Sequence, residues 1–197
     1  MGNKPTGTRA RNGTEPSRWL PSPVPVSLLP SDGAAVSGTY SEPPAESLLT
    51  AYRRMVLGRR FDEQATALAR QGRLAVHPSS LGQEACQVGA ALALRATDWL
   101  FPTYRDCVAL VSRGIDPVEA LTLLRGDAHC GYDPVRHRTA PQCTPLATHS
   151  AHATGLSHGD RLAGADTVAL ALVGDGATIE GHFHEALNLA GVVEPPV

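Results

Sequence analysis

Thr167-Val-Ala-Leu-Ala-Leu-Val173, closed by Gly174-Asp175-Gly176, constrains the fold more than any other stretch of the chain. An apolar run of this length without alternation reads as a strand buried on both faces, the habit of a parallel sheet covered by helices. Such a strand needs neighbours for its backbone hydrogen bonds. No second strand of comparable clarity stands elsewhere in the sequence, and Glu194-Pro-Pro-Val197 reads as the turn into a further one. The expected class is therefore α/β, with N-terminal helices leading into a parallel sheet that is incomplete in this chain.

The helices announce themselves by spacing and punctuation. Proline at 43 and 44 is placed to open a helix. Leu48, Leu49, Tyr52, Met55 and Val56 then mark one helical face, continued by Ala65, Leu68 and Ala69 until Gly72. A second helix is expected over Glu84–Arg95, with Ser80 as its cap and Gln83 reaching back. Thr103-Tyr-Arg-Asp106 carries the same box and opens a helix that ends at Gly114. Asp116-Pro-Val-Glu119 combines cap, first-turn proline and third-position acid, starting a helix that runs to about Arg125. Residues 126–147 read as a long loop, a helix follows over 148–158, and a last one spans Gly181 to Gly191.

Residues 1–44 hold eight of the sixteen prolines, including Pro21-Ser-Pro-Val-Pro25, so they favour extended backbone and are expected to form a disordered extension. Residues 45–197 are then the ordered part. A formal net charge of -2 gives no reason to expect nucleic acid or an anionic membrane as partner. No apolar stretch is long enough for a membrane span or a secretory signal, which points to the cytoplasm. The four cysteines form no C-x-x-C pair, and Cys86 and Cys107 fall in helical apolar patterns, as buried free thiols do.

The chemistry concentrates after the strand. Glycines at 174 and 176 let backbone approach a ligand closely, and Asp175 is presented at the carboxyl end of the strand. One carboxylate together with phosphate oxygens is how magnesium is usually held. Taken alone, Gly-Asp-Gly after a strand also reads as a plain turn. Its surroundings, Gly174-Asp-Gly-Ala-Thr-Ile-Glu-Gly181 followed by Phe183-His-Glu-Ala-Leu-Asn188, resemble the thiamine-diphosphate motif of 2-oxo acid dehydrogenase alpha subunits. Gln71-Gly-Arg73 with Gly82-Gln-Glu-Ala85, Phe101-Pro-Thr-Tyr-Arg-Asp106, and Pro145-Leu-Ala-Thr148 with Ala153-Thr-Gly155 match in the same order. The resemblance covers residues 46–197 and embraces the pyruvate and branched-chain enzymes alike.

That resemblance implies a partial thiamine-diphosphate-binding fold and a set of roles. Asp175 would be a ligand of Mg2+ bridging the two cofactor phosphates, with Gly174, Gly176 and Ala177 beside it in the cofactor motif, the last two lending backbone groups near the diphosphate. Tyr104 and Arg105 would contact the diphosphate, which suits a guanidinium and a helix start; without the resemblance, Arg105 reads as a surface ion pair with Asp106. Leu146 would line the aminopyrimidine pocket. Thr144 and Thr148 would sit near a structural cation, unless Thr148 is only a helix cap. His129 would be the loop histidine that handles protons, with His137 as its competitor and a solvent-exposed residue as the bland reading. His149 stands where many relatives have glutamine and His182 where an acid is common, and the Asn-Asn pair that closes the motif is absent.

At the level of function, the resemblance implies oxidative decarboxylation of a small 2-oxo acid with transfer of the acyl group to a lipoyl group. A beta subunit would complete an alpha2-beta2 assembly, and a lipoyl acyltransferase core would receive the product. Two other readings compete: a truncated, non-catalytic remnant of that subunit, and a zinc-binding module. For the module, Cys130, His137, Cys143, His149 and His152 fall within 23 residues, although without the tight pairs of a specific zinc site.

Overall fold

The first helix forms where the sequence places it, but it turns a different face to the protein from the one its large apolar residues mark. In α1 (Ala45–Arg70) the buried residues are Gly58, Phe61, Asp62 and Ala65, while Leu48, Leu49, Tyr52 and Val56 stay exposed. Small size explains the choice. A Cβ on Gly58 would come within 2.6 Å of a methyl of Val108, so the glycine is what lets α1 lie against its neighbour. Spacing of large residues misses an interface built on close backbone approach.

The computed structural model describes residues 43–197. All but the last two residues of the proline-rich extension expected over 1–44 lie outside the described residues. Past Gly72, which adopts the left-handed conformation, the chain continues as α2 (Glu84–Ala93), β1 (Trp99–Phe101) and α3 (Cys107–Ser112). The expected Ser80 cap does not form. Gln83 occupies the N-cap position without a side-chain bond, and the Ser80 hydroxyl donates instead to the carbonyl of Arg105 at 2.6 Å. Asp116 does cap, accepting from Val118 N and Glu119 N, but the helix breaks at Leu121 into α4 (Pro117–Ala120) and α5 (Thr122–Arg125).

The stretch 126–147 is more than a loop. It contains α6 (Pro134–His137), capped by Asp133, and its backbone bridges β1 at Leu100↔Thr139 and the turn after it at Thr103↔Cys143. Then come α7 (Thr148–Leu162), β2 (Ala169–Ala171), a 3-10 turn over Asp175–Ile179 and α8 (Gly181–Val193). β1 and β2 pair in parallel with Trp99 opposite Ala169 and Phe101 opposite Ala171. β1, three residues bounded by Pro102, is too short to show a period; it is the strand the sequence hid.

Three apolar clusters surround this sheet. Phe61, Cys107, Leu110, Ile115 and Leu124 pack between α1, α3 and α5. Trp99, Phe101, Ala153 and Ala169 join the strands to α7. Leu100, with Ala91 and Ala109, fills the other face. Pro196 accepts from Ala169 N at 2.9 Å, so the last residues run beside β2. Among the described residues, no helix is long and apolar enough to cross a membrane. The incomplete α/β architecture expected from the sequence is the one observed.

Candidate functional site

A cleft of about 460 Å3 opens at the carboxyl ends of the two strands. In parallel sheets this is the end where ligands bind, because the turns that leave the strands diverge there. Two of those turns and α2 form its walls.

The first wall follows β1. Asp106 closes the turn by accepting from Thr103 N at 2.7 Å and from the Thr103 hydroxyl at 2.6 Å. Burial pushes the Asp106 carboxyl above its ordinary range, and the Thr103 bonds pull against that. The turn projects Tyr104 and Arg105 into the cleft, with the guanidinium 5.6 Å from the centre of the Tyr104 ring. Arg105 makes no ion pair with Asp106; its Nη1 donates to the carbonyl of Ser79 at 2.9 Å. Its own carbonyl receives the Ser80 hydroxyl and the Gln87 amide.

The second wall follows β2. Leu172, Val173, Gly174, Asp175 and Gly176 all line the cleft, and Gly174 and Asp175 are exposed. Ala177 does not line it: this residue is buried beneath, its N–H bonded to the Gly174 carbonyl at 3.0 Å, which tightens the 3-10 turn. Leu146 reaches in from the long connection, and a Cβ on Gly176 would sit 3.5 Å from its Cδ1. Behind this wall His149 is 2% exposed. Its Nε2 makes a short bond to the carbonyl of Leu172, and its Nδ1 has no partner. Thr148 opens α7 without capping it; the cap position belongs to Ala147, in the left-handed conformation.

Four separated stretches of sequence thus meet in one cavity only through folding. Tyr104, Arg105, Leu146, Gly174, Asp175 and Gly176 are brought together. His129 is not among the lining residues: it is exposed, with Nδ1 accepting from Gly131 N at 3.1 Å. His137 lies against Tyr132, edge to face. Gln83, Cys86, Gln87 and Thr103 line the cleft without having been singled out for it. Gln83 and Gln87 stand one helical turn apart, a signal that polarity on an otherwise apolar helix could have given. Cys86, expected to be buried, is exposed; Cys107 is buried as expected.

The zinc-binding reading fails on geometry. Among the described residues no group of three or more His, Cys, Asp or Glu could hold a metal. The Cys130 and Cys143 thiols donate to the nearby carbonyls of Tyr132 and Pro145, and His149 is spent on Leu172.

Comparison with known proteins points one way. The sequence model of the family described as "Dehydrogenase E1 component" matches residues 52–197. The chain is 41% identical over 174 residues to the 3-methyl-2-oxobutanoate dehydrogenase subunit alpha of Mycobacterium tuberculosis H37Rv, covering 87% of this chain and 47% of that protein. It is 34% identical over 185 residues to the 2-oxoisovalerate dehydrogenase subunit alpha of Pseudomonas aeruginosa, covering 87% and 44%. With the pyruvate dehydrogenase E1 component subunit alpha of Mycoplasma genitalium it shares 33% identity over 147 residues, covering 75% and 41%. The chain spans less than half the length of these curated relatives.

Proposed function

The chain belongs to the dehydrogenase E1 component family, and from that membership and the donor set of its cleft we propose that it serves as alpha-subunit sequence of a thiamine-diphosphate-dependent 2-oxo acid dehydrogenase. Residues 45–197 are, in this reading, part of the cofactor-binding domain. The observation that carries it is the convergence of Tyr104, Arg105, Leu146 and Gly174–Gly176 on one cleft at the carboxyl end of a parallel sheet. A guanidinium on one wall faces an exposed carboxylate flanked by glycines on the other. That pairing of donors fits an anionic phosphate group accompanied by a divalent cation, and the volume is of the size that holds a cofactor.

When bound, thiamine diphosphate supplies the carbon nucleophile for the substrate carbonyl and takes up the electron pair left as carbon dioxide departs. The chain's residues hold and orient. Asp175 would ligate Mg2+ through its carboxylate, and Gly174 and Gly176 would offer backbone beside the diphosphate, while Ala177, buried with its N–H bonded to Gly174, would only brace the turn. Arg105 and Tyr104 would meet the phosphate oxygens from the opposite wall, and Leu146 would pack against the aminopyrimidine. His129, outside the cleft lining in this structure, would handle protons only if its connection brought it to the cofactor; with Nδ1 accepting from Gly131 N, Nε2 is the nitrogen it would present.

The relatives' names extend the reading to partners and substrate. They describe alpha subunits, so a beta subunit in an alpha2-beta2 assembly is the expected companion, with a lipoyl acyltransferase core as acceptor. The substrate would be pyruvate or a branched-chain 2-oxo acid such as 3-methyl-2-oxobutanoate, and the location cytoplasmic. The test is decarboxylation of both acids by the full-length protein assembled with its beta subunit, with and without thiamine diphosphate and Mg2+. Cofactor-dependent turnover of either acid is expected; no turnover of either, with no diphosphate binding, would overturn the proposal.

A further inference from the structure

Arg105 is held from behind by two serines, and both serines are held by one buried carboxylate that lies outside the cleft. Asp62 sits on α1 with its side chain 4% exposed. Its Oδ2 accepts the Ser79 hydroxyl at 2.6 Å. Its Oδ1 accepts Ser80 N at 2.7 Å and lies 3.1 Å from Nε2 of His77, whose side chain is 1% exposed. An ionised carboxylate only accepts, so the imidazole nitrogen donates.

The same serines turn their remaining groups to Arg105. The Ser79 carbonyl accepts from Arg105 Nη1 at 2.9 Å, and the Ser80 hydroxyl donates to the Arg105 carbonyl at 2.6 Å. Each serine therefore gives one group to Asp62 and one to Arg105, and the arginine is fixed at both its backbone and its guanidinium. No neutral side chain could replace Asp62 without loss, because three donors converge on its two oxygens and an amide would present N–H groups to at least one of them. Burying a charge is costly unless hydrogen bonds repay it, and here all three bonds are spent on one loop.

We propose that Asp62 is a positioning residue that presets the Arg105 guanidinium for a diphosphate, acting through Ser79 and Ser80. The inference rests on the reading of Arg105 as a phosphate contact given above. Fixing the guanidinium before the ligand arrives removes the entropy of ordering a long side chain on binding, which is where preorganisation yields affinity. Diphosphate affinity should therefore depend on a carboxylate that never touches the ligand.

The experiment is a double-mutant cycle on the full-length protein with its beta subunit, read as the dissociation constants of magnesium thiamine diphosphate and of unphosphorylated thiamine. Asp62→Asn should weaken diphosphate binding about tenfold, and Ser79→Ala, a milder change that keeps the carbonyl facing Arg105, about threefold. Thiamine binding should be unchanged in both. In an Arg105→Ala background the effect of Asp62→Asn should vanish, since the group it positions is gone. Equal losses for diphosphate and thiamine, or losses that add fully in the double variant, would reduce Asp62 to a merely structural role and overturn the inference. If Asp62→Asn does not fold, the Ser79→Ala cycle decides by the same criteria. Arg105→Ala binding diphosphate as tightly as the parent would instead remove the reading beneath, a result distinct from either of those.

Discussion

The two ends of the same parallel sheet use charge in opposite ways. At the amino ends of β1 and β2, Asp98 is 5% exposed in its side chain and bonded to the Arg95 guanidinium at 2.8 Å. It also accepts from Arg95 N and Val168 N, at 2.8 and 3.0 Å. Arg95 goes on to Asp166, and Arg113 donates to the carbonyls of Arg95 and Asp98. Polar groups there are spent on joining α2, α3 and both strands. At the carboxyl ends, Asp175 is exposed, and Arg105 commits Nη1 to a backbone carbonyl rather than to a carboxylate. One end clasps the fold, and the other leaves Arg105 and Asp175 on separate walls of an open cleft.

The contrast breaks most sharply if its two aspartates are exchanged in their effects. Asp175→Ala should weaken magnesium thiamine diphosphate binding by about a hundredfold or more, the scale of losing a direct metal ligand. Its melting temperature without ligand should stay with the parent's, because the side chain supports nothing else. Calorimetric titration beside a thermal melt reads both; a lowered melting temperature with unchanged affinity would place Asp175 in the scaffold.

Asp98→Asn should do the reverse, lowering stability by about 2 kcal/mol through its charged hydrogen bonds while leaving cofactor affinity alone. The Arg95 guanidinium beside it, then burial working against that, then backbone N–H groups set its carboxyl, which is held down at about 2. A carboxyl held below its unfolded value contributes stability above that value, about 4, and loses it as the pH falls through about 2. Acid denaturation profiles check this: the Asn variant should lose less stability than the parent between those two values. Parallel profiles would mean that Asp98 carries no pH-linked stability.

What the sequence disclosed follows the same division. The carboxyl-end turn was legible because Gly174-Asp175-Gly176 and Arg105 sit in contiguous motifs. The clasp was not, since Arg95 and Asp98, Arg113, and Asp166 belong to three separate stretches with no shared period. β1 was invisible at three residues. The packing face of α1 was only partly legible: Ala65 fell on the expected face, but Gly58 and Asp62, buried beside it, carry no hydrophobic signal. His129 and His137 both stand in the long connection, where the motif resemblance does not single out one histidine and says nothing of its surroundings.

Gly58→Ala tests the close approach that the sequence hid. Alanine favours helix over glycine by up to about 1 kcal/mol, but its methyl must displace buried Val108, at a cost of about 1–3 kcal/mol. A net loss of about 1 kcal/mol is expected from these two terms. Combining it with Val108→Ala should cost less than the sum of the two changes, because the second removes the atom that clashes with the first. A stabilised Gly58→Ala would mean that α1 does not lie against α3 at this point, and Asp62 would lose the support on which its reach to Ser79 and Ser80 depends.

The smallest effect compares two thiols either side of the cleft wall. Cys107 is 1% exposed, and burial, opposed mainly by the bond from the Gln142 amide, pushes its thiol up to about 12. It should resist alkylation until the protein unfolds, since the thiolate is the reacting species. Cys86 is exposed on α2 and lines the cleft beside Arg105, so it should react in the native protein. Saturating magnesium thiamine diphosphate should slow it only severalfold, because a ligand held between Arg105 and Asp175 would shade the α2 wall without sealing it. Peptide mapping after timed maleimide treatment separates the two sites. A Cys86 rate indifferent to cofactor would confine the occupant to the strand-end wall and remove Gln83 and Gln87 from its surroundings.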